Sequence, residues 1–310
     1  MIGGALTERL VSDGHEVRAV DIKHLSEWWR VMPGAENWDR WDCRKPKYAA
    51  ESLEGVDWVY DLAETMGGIS FIESERVECS ESIEIGINLL RESARAGVQR
   101  FFFSSSACIY PTHIQDSTEA MGLRECDAWP ARPEDGYGFS KLYMEELCRH
   151  YSNDRGVETR VARYHNIYGP HGSWNDGKEK SPAALCRKVA MSAGSIEIWG
   201  DGEQRRSYCF LDDCVEGTVR LMESDFTEPL NIGSDRLVSV NELVTIIEGI
   251  AGKSLKRHYQ PTAAQGVRGR NADLTLCRKV LGWEPQTSLE DGLAALYGWI
   301  QSEVWRLEKA

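Results

Sequence analysis

Tyr137 and Lys141 stand four residues apart in Tyr137-Gly138-Phe139-Ser140-Lys141, a spacing that puts a phenol and an ammonium on one face of a helix. An ammonium beside a phenol favours the phenolate, so the pair can act as a base near neutral pH. Alone, the spacing equally describes a solvated surface pair. Its setting is less ordinary: it follows by 29 residues (137 minus 108) the run Ser104-Ser105-Ser106-Ala107-Cys108-Ile109-Tyr110-Pro111, a hydroxyl-rich turn at the end of an apolar strand. Such turns face the ligand crevice of a parallel sheet. Cys108 in that turn is placed where a thiol can approach a ligand and where positive charge nearby would promote its thiolate. Lys180, in Gly177-Lys178-Glu179-Lys180, reads by charge alone as part of a solvated loop.

The elements that must position these residues alternate. His15 to Asp21, Asp57 to Ala63, Arg100 to Ser105 and Glu158 to Tyr164 are short β-branched or aromatic runs and read as strands. Ser82 to Ala96 and Gly138 to Tyr151 return apolar residues every three to four positions and read as helices. Strands separated by helices give an α/β fold, a Rossmann-like doubly wound parallel sheet with ligands beyond the carboxyl ends of its strands. Residues 1–165, with returns near 205–235, make the expected dinucleotide-binding lobe. Residues 166–310 make a smaller, interleaved substrate lobe that is richer in Gly and Pro.

The amino terminus breaks the pattern. Met1-Ile2-Gly3-Gly4 leads directly into a helix, Ala5 to Ser12, so the first strand and the first glycines of a phosphate-binding turn are expected upstream of Met1. The sequence therefore reads as a late-assigned start or a shortened form. Gly3 fits the last glycine of that turn. Asp21 follows it by 18 residues (21 minus 3), close to the spacing of about 20 expected for a ribose-binding acid.

Composition narrows the function. The 310 residues carry a net charge of −13, which repels nucleic acid, and no apolar run reaches the roughly 20 residues a membrane helix needs. Nine scattered cysteines without paired or metal-ligand spacing read as a reducing, cytoplasmic chain with no metal site. Cys126, Cys148, Cys186, Cys209 and Cys214 read as small buried hydrophobes. Trp28, Trp29, Trp38 and Trp41 form either a partner surface or a satellite core.

Taken together, Ser105-Ser106-Ala107-Cys108-Ile109-Tyr110-Pro111, Tyr137-x-x-x-Lys141, Asn166-Ile167-Tyr168-Gly169-Pro170 and Leu281-Gly282-Trp283-Glu284-Pro285 resemble the extended short-chain dehydrogenase/reductase family, whose members modify nucleotide sugars. Met66-Gly67-Gly68, Asp127-Ala128-Trp129-Pro130, Glu179-Lys180-Ser181-Pro182 and Val267-Arg268-Gly269-Arg270-Asn271 are most similar to those members that epimerise GDP-mannose at carbons 3 and 5. The resemblance implies bound NAD, with Tyr137 as base at carbon 4, Lys141 holding the nicotinamide ribose, and Cys108 with Lys180 exchanging protons at carbons 3 and 5. It implies cofactor contacts from Gly3, Asp21, Asp42 and Leu62. Substrate contacts fall to Gly67, Ser106, Asn166, Glu179, Lys188, Gln204, Arg206, Arg268 and Arg270, the basic residues suiting a diphosphate. A homodimer is expected. Leu62-Ala63-Glu64-Thr65 departs from the family pattern beside the cofactor, as do Gly136 and Ser140. The residues leave open a 4- or 2-epimerase of the same family and a non-catalytic dinucleotide-binding relative.

Overall fold

Phe101, Phe102 and Phe103 are all buried although they are consecutive in one strand, which requires a sheet covered on both faces. The computed structural model describes residues 1–119 and 121–309 and shows that arrangement. The chain opens with α1 (Ile2–Ser12), then β1 (Val17–Val20), β2 (Ala35–Trp38), α2 (Pro46–Ser52) and β3 (Trp58–Asp61). Three helices follow, α3 (Ile69–Ser74), α4 (Arg76–Glu81) and α5 (Ile83–Ala96), and then β4 (Arg100–Ser106), α6 (Asp135–Arg155) and β5 (Glu158–Tyr164).

The second part contains β6 (Ile167–Tyr168), α7 (Ser181–Met191), β7 (Ser195–Trp199), β8 (Arg205–Arg206), β9 (Cys209–Phe210) and α8 (Leu211–Glu223). It continues through β10 (Leu230–Ile232), β11 (Val238–Ser239), α9 (Val240–Ala251), β12 (Lys256–Gln260), β13 (Gly269–Arg270), α10 (Thr275–Leu281) and α11 (Leu289–Lys309).

The main sheet has the order β10-β5-β4-β3 and is parallel throughout. β1 and β2 form a separate parallel pair, Val17 opposite Ala35 through Val20 opposite Trp38. Residues of β1 and of β3 line one continuous cavity of about 1900 Å³, so the two sheets face each other across an open slot. No ladder joins them among the described residues. The slot lies where the sequence expects a further strand. β2 itself was not expected. It is fixed by its pairing with β1 and by Arg18, whose guanidinium lies 4.5 Å over the Trp38 ring.

The apolar interior follows this division. One buried cluster joins α7, α9 and α11, another lies between α8, α10 and the β5/β10 side of the sheet, and a third packs α5 and α6 on its other face. Of the four tryptophans, Trp38 and Trp41 meet edge-on and cluster with Tyr48, exposed Trp29 meets Trp299 edge-on at 5.3 Å, and Trp28 donates from its indole to Lys23 O. Cys148, Cys186, Cys209 and Cys214 are buried as expected, but Cys126 is exposed, because it lies in a short 3-10 turn on the surface.

Candidate active site

The buried stripe of α6 carries the chemistry. Tyr137, Lys141, Met144, Glu145 and Cys148 recur at helical spacing and face the sheet, so two charged residues occupy core positions. Such groups are kept inside only with partners. Glu145 receives Nε and Nη2 of Arg163 from β5, with the latter at 2.7 Å, and a hydrogen bond from Ser105 Oγ. Lys141 Nζ donates to the Ser104 carbonyl at 2.8 Å and pairs with Glu64, on the loop leaving β3. Burial raises the Tyr137 phenol well above its ordinary range, and Glu64 adds to the effect.

Cys108 sits in the turn after β4. Its amide donates to Ser106 Oγ, and its carbonyl lies against Gly138, where any Cβ would collide with it. Arg270 on β13 donates through Nη1 to Cys108 Sγ at 3.4 Å, through Nη2 to Glu134 at 2.7 Å and through Nε to Gln115 at 2.6 Å. Burial and Glu134 push the Cys108 thiol up, while Arg270 opposes them. Burial works against charge on Glu134 too, yet Arg270 brings its carboxyl below the ordinary value. Burial lowers the Lys180 ammonium, with Cys108 close enough to counter part of the effect. The thiol is thus held protonated while the amine gives up its proton more readily.

The approach of Lys180 depends on a close backbone contact. Gly68 N donates to Lys178 O at 2.9 Å, and a Cβ on Gly68 would lie 2.6 Å from Glu179 O. Only glycine lets the loop before α7 lie against the start of α3. Asn166 adopts a φ of 43°, a left-handed conformation Asn tolerates better than most residues, and its amide donates to Ser207 O at 2.9 Å.

The structure gathers much of the expected site. Gly3, Asp21, Asp42, Leu62 and Gly67 line the large cavity, as do Ser106, Tyr137, Lys141, Asn166 and Lys180. Arg270 and Arg206 belong to the Cys108 side, where burial, with Arg270 adding, lowers the Arg206 guanidinium to about 10. Gln204 is buried, with its amide donating to Trp199 O and its Oε1 unpartnered. Glu179 holds Arg187 at 2.5 Å. Lys188 and Arg268 are not brought into the cavity: the first pairs with Glu197 at 3.3 Å and lies over Trp199, the second grips Asp201 at 3.0 Å. Asp42 lines the cavity but is held by Arg44 at 2.9 and 3.0 Å. Sequence reasoning missed Glu134, Gln115 and the Glu145/Arg163 pair, which carry no local signal. Among the described residues no cluster of His, Cys, Asp and Glu could hold a metal ion.

The residues present fit a dinucleotide. The first turn of α1, with Gly3 in it, offers unpaired backbone amides to a diphosphate, Asp21 stands at the end of β1, and Tyr137 and Lys141 line the same continuous cavity. The NAD dependent epimerase/dehydratase family matches residues 1–233. The chain belongs to this family. Among curated proteins it is 46% identical over 304 residues to GDP-mannose 3,5-epimerase 1 of Oryza sativa subsp. japonica, covering 98% of this chain and 80% of that one. It is 44% identical to GDP-mannose 3,5-epimerase of Arabidopsis thaliana, covering 100% and 81%. Among solved structures, UDP-glucose 4-epimerase of Thermotoga maritima with UDP-glucose superposes with a TM-score of 0.89 at 25% identity, covering 98% and 96%. The Bacillus cereus UDP-glucuronic acid 4-epimerase in complex with UDP-glucuronic acid and NAD has the same fold, with a TM-score of 0.83 at 23% identity and coverage of 97% and 96%. As a member of this NAD-dependent family, the chain uses NAD.

Proposed function

We propose that this chain epimerises GDP-mannose at carbons 3 and 5, giving GDP-L-galactose and GDP-L-gulose through a transient 4-keto sugar. The observation that carries the reading is Cys108, gripped by Arg270 beside Tyr137 and within electrostatic reach of Lys180. Relatives of that name at 44 and 46% identity support it. Held by Gly3, Asp21 and the Tyr137/Lys141 pair, NAD would supply a reversible hydride acceptor for carbon 4 of the sugar. Tyr137 takes the proton of the carbon 4 hydroxyl as the ketone forms, and gives it back at the end. Lys141, anchored on Ser104, supports the phenolate. The ketone acidifies the hydrogens on carbons 3 and 5, so one group removes a proton from one face while the other delivers a proton to the opposite face. The low-lying Lys180 amine and the Cys108 thiol are the two groups suited to this exchange.

Gly3, Asp21, Asp42 and Leu62 serve the cofactor in this reading. Gly67, Ser106, Asn166, Glu179, Gln204, Arg206 and Arg270 serve the sugar and its diphosphate. Lys188 and Arg268 would join only by exchanging their present carboxylate partners. Residues 1–165, with returns near 205–235, form the NAD lobe, and 166–310 the nucleotide-sugar lobe. Exposed Phe139 and Tyr143 on α6 support pairing of two copies through that helix. Nine free cysteines support a reducing, cytoplasmic setting, and among the described residues no helix is long and apolar enough to cross a membrane.

Incubation with GDP-mannose in deuterated water tests the reading: deuterium enters at carbons 3 and 5, and Cys108→Ala abolishes that exchange while hydride transfer at carbon 4 persists. Epimerisation at carbon 4 alone, insensitive to Cys108→Ala, would refute it.

A further inference from the structure

Glu64 is the one charged residue in Leu62-Ala63-Glu64-Thr65, the segment that leaves β3 toward the cavity. Its carboxylate is largely enclosed. One oxygen pairs with Lys141 Nζ, and the other, Oε1, is buried without a partner. We propose that Glu64 is a positioning residue for the Tyr137/Lys141 pair: it anchors the Lys141 ammonium from the cavity wall and weakens the positive charge that the Tyr137 phenol experiences. The mechanistic consequence rests on the function proposed above, but the electrostatic claim does not.

An ammonium has three donors. On Lys141 one goes to Ser104 O and one to Glu64, which fixes the direction of the third and leaves it for a hydroxyl-bearing ligand. The same Nζ lies 4.7 Å from the centre of the Phe103 ring and 5.8 Å from that of Tyr137. Without Glu64 that phenol would face an uncompensated cation in a poorly solvated pocket. With Glu64 it faces a nearly neutral ion pair, so the phenol keeps its proton to higher pH. The unpartnered Oε1 remains as an acceptor for the same ligand.

Other titratable groups surround the pair. Asp61 on β3 is buried and pushed up to about 7 by burial, with Lys141 opposing and Glu64 adding. Cys79 on α4 lies near Glu64 and is pushed up to about 11, mainly by burial. Cys108 faces the phenol from the β4 turn. Since Asp61 titrates in the working range, its effect has to be separated from that of Glu64.

The test compares Glu64→Gln, Glu64→Ala and Glu64→Asp, each also in an Asp61→Asn background. The phenol is followed by ultraviolet difference titration of the protein with NAD bound and again without it, each variant corrected by its Tyr137→Phe counterpart. Glu64→Gln keeps an acceptor for Lys141 but removes the charge, and the titration of Tyr137 moves down by about one pH unit. Glu64→Asp restores the original position. NADH binding, read by fluorescence, weakens about three- to tenfold in Glu64→Ala, which no longer orients the ammonium, and stays within about twofold in Glu64→Gln. If Tyr137 titrates at the same pH in Glu64→Gln and the parent, in both Asp61 backgrounds, the proposal is overturned. Equal NADH affinity in Glu64→Ala and the parent would overturn the anchoring role. None of these readouts uses a sugar, so failure of the epimerase reading leaves them unchanged. If that reading holds, the acid limb of turnover moves down with the phenol.

Discussion

Replacing Arg270 by methionine tests how Cys108 is tuned. Two unit charges 3.4 Å apart interact by about 5 kcal/mol at an effective dielectric near 20. Glu134, 2.7 Å from the same guanidinium, and burial both oppose the thiolate, so Arg270 is the charged group that works for it. In Arg270→Met the support is gone and Glu134 faces the sulfur without a counter-charge, so both changes act against the thiolate. Because about 1.4 kcal/mol is a factor of ten in its population, alkylation of Cys108 by iodoacetamide at pH 8 should slow roughly tenfold or more. Exposed Cys126 reacts in the same tube and, quantified with Cys108 by peptide mass spectrometry, serves as an internal standard. Circular dichroism checks that the variant is folded. An unchanged or higher ratio of Cys108 to Cys126 alkylation in the folded variant would refute the electrostatic account of the thiol.

Two further outcomes follow from the packing. His165 is fully buried, and Asn231 Oδ1, which already accepts from Tyr110, accepts from its Nε2 at 2.9 Å, leaving Nδ1 bare. Burial pushes its pKa from 6.5 down to about 3; the folded value lies below the unfolded one, so its stability contribution is present above pH 6.5 and is lost as pH falls toward 3. From pH 7 to pH 5 it removes about 2 kcal/mol; because Asp61, raised to about 7, acts in the opposite direction over the same range, the loss is read as the difference between urea titrations of the parent and of His165→Gln at the two pH values, and equal pH dependences would refute it. Gly68→Ala forces the Glu179 carbonyl away from α3 and displaces Lys180; turnover with GDP-mannose should fall by about tenfold or more, with NADH affinity retained, and unchanged turnover would show that the contact does not place Lys180.

The redox half of the site was legible because Tyr137 and Lys141 are four residues apart in one helix and their strand ends in serines. The four strands read from β-branched and aromatic runs were found within about two residues at each end; in β4 and β5 burial on both faces enforces the apolar run, whereas β1 and β3 are only partly buried. β2 escaped notice, since Ala35-Glu36-Asn37-Trp38 has neither alternation nor a continuous apolar run and is made a strand by β1 beside it. The group around Cys108 was half visible. Arg270 lies 162 residues from Cys108 and Glu134 136 residues from Arg270, separations at which only the fold can bring charges together. Lys188 illustrates the reverse error: a basic residue in the right region is consumed by Glu197, nine residues away, through a pairing of α7 with β7 that sequence does not announce. Glu64 was noticed only as a departure from pattern, and its partner Lys141 became evident once β3 lay beside β4.

The slot between β1 and β3 gives the molecule a property unrelated to catalysis. Each flank offers a row of backbone donors and acceptors with no ladder on that side among the described residues, and the two rows run beside one cavity. Unpaired strand edges are the positions at which a sheet can take on a further strand, so the free edges of β1 and β3 are where another extended backbone would pair with this chain.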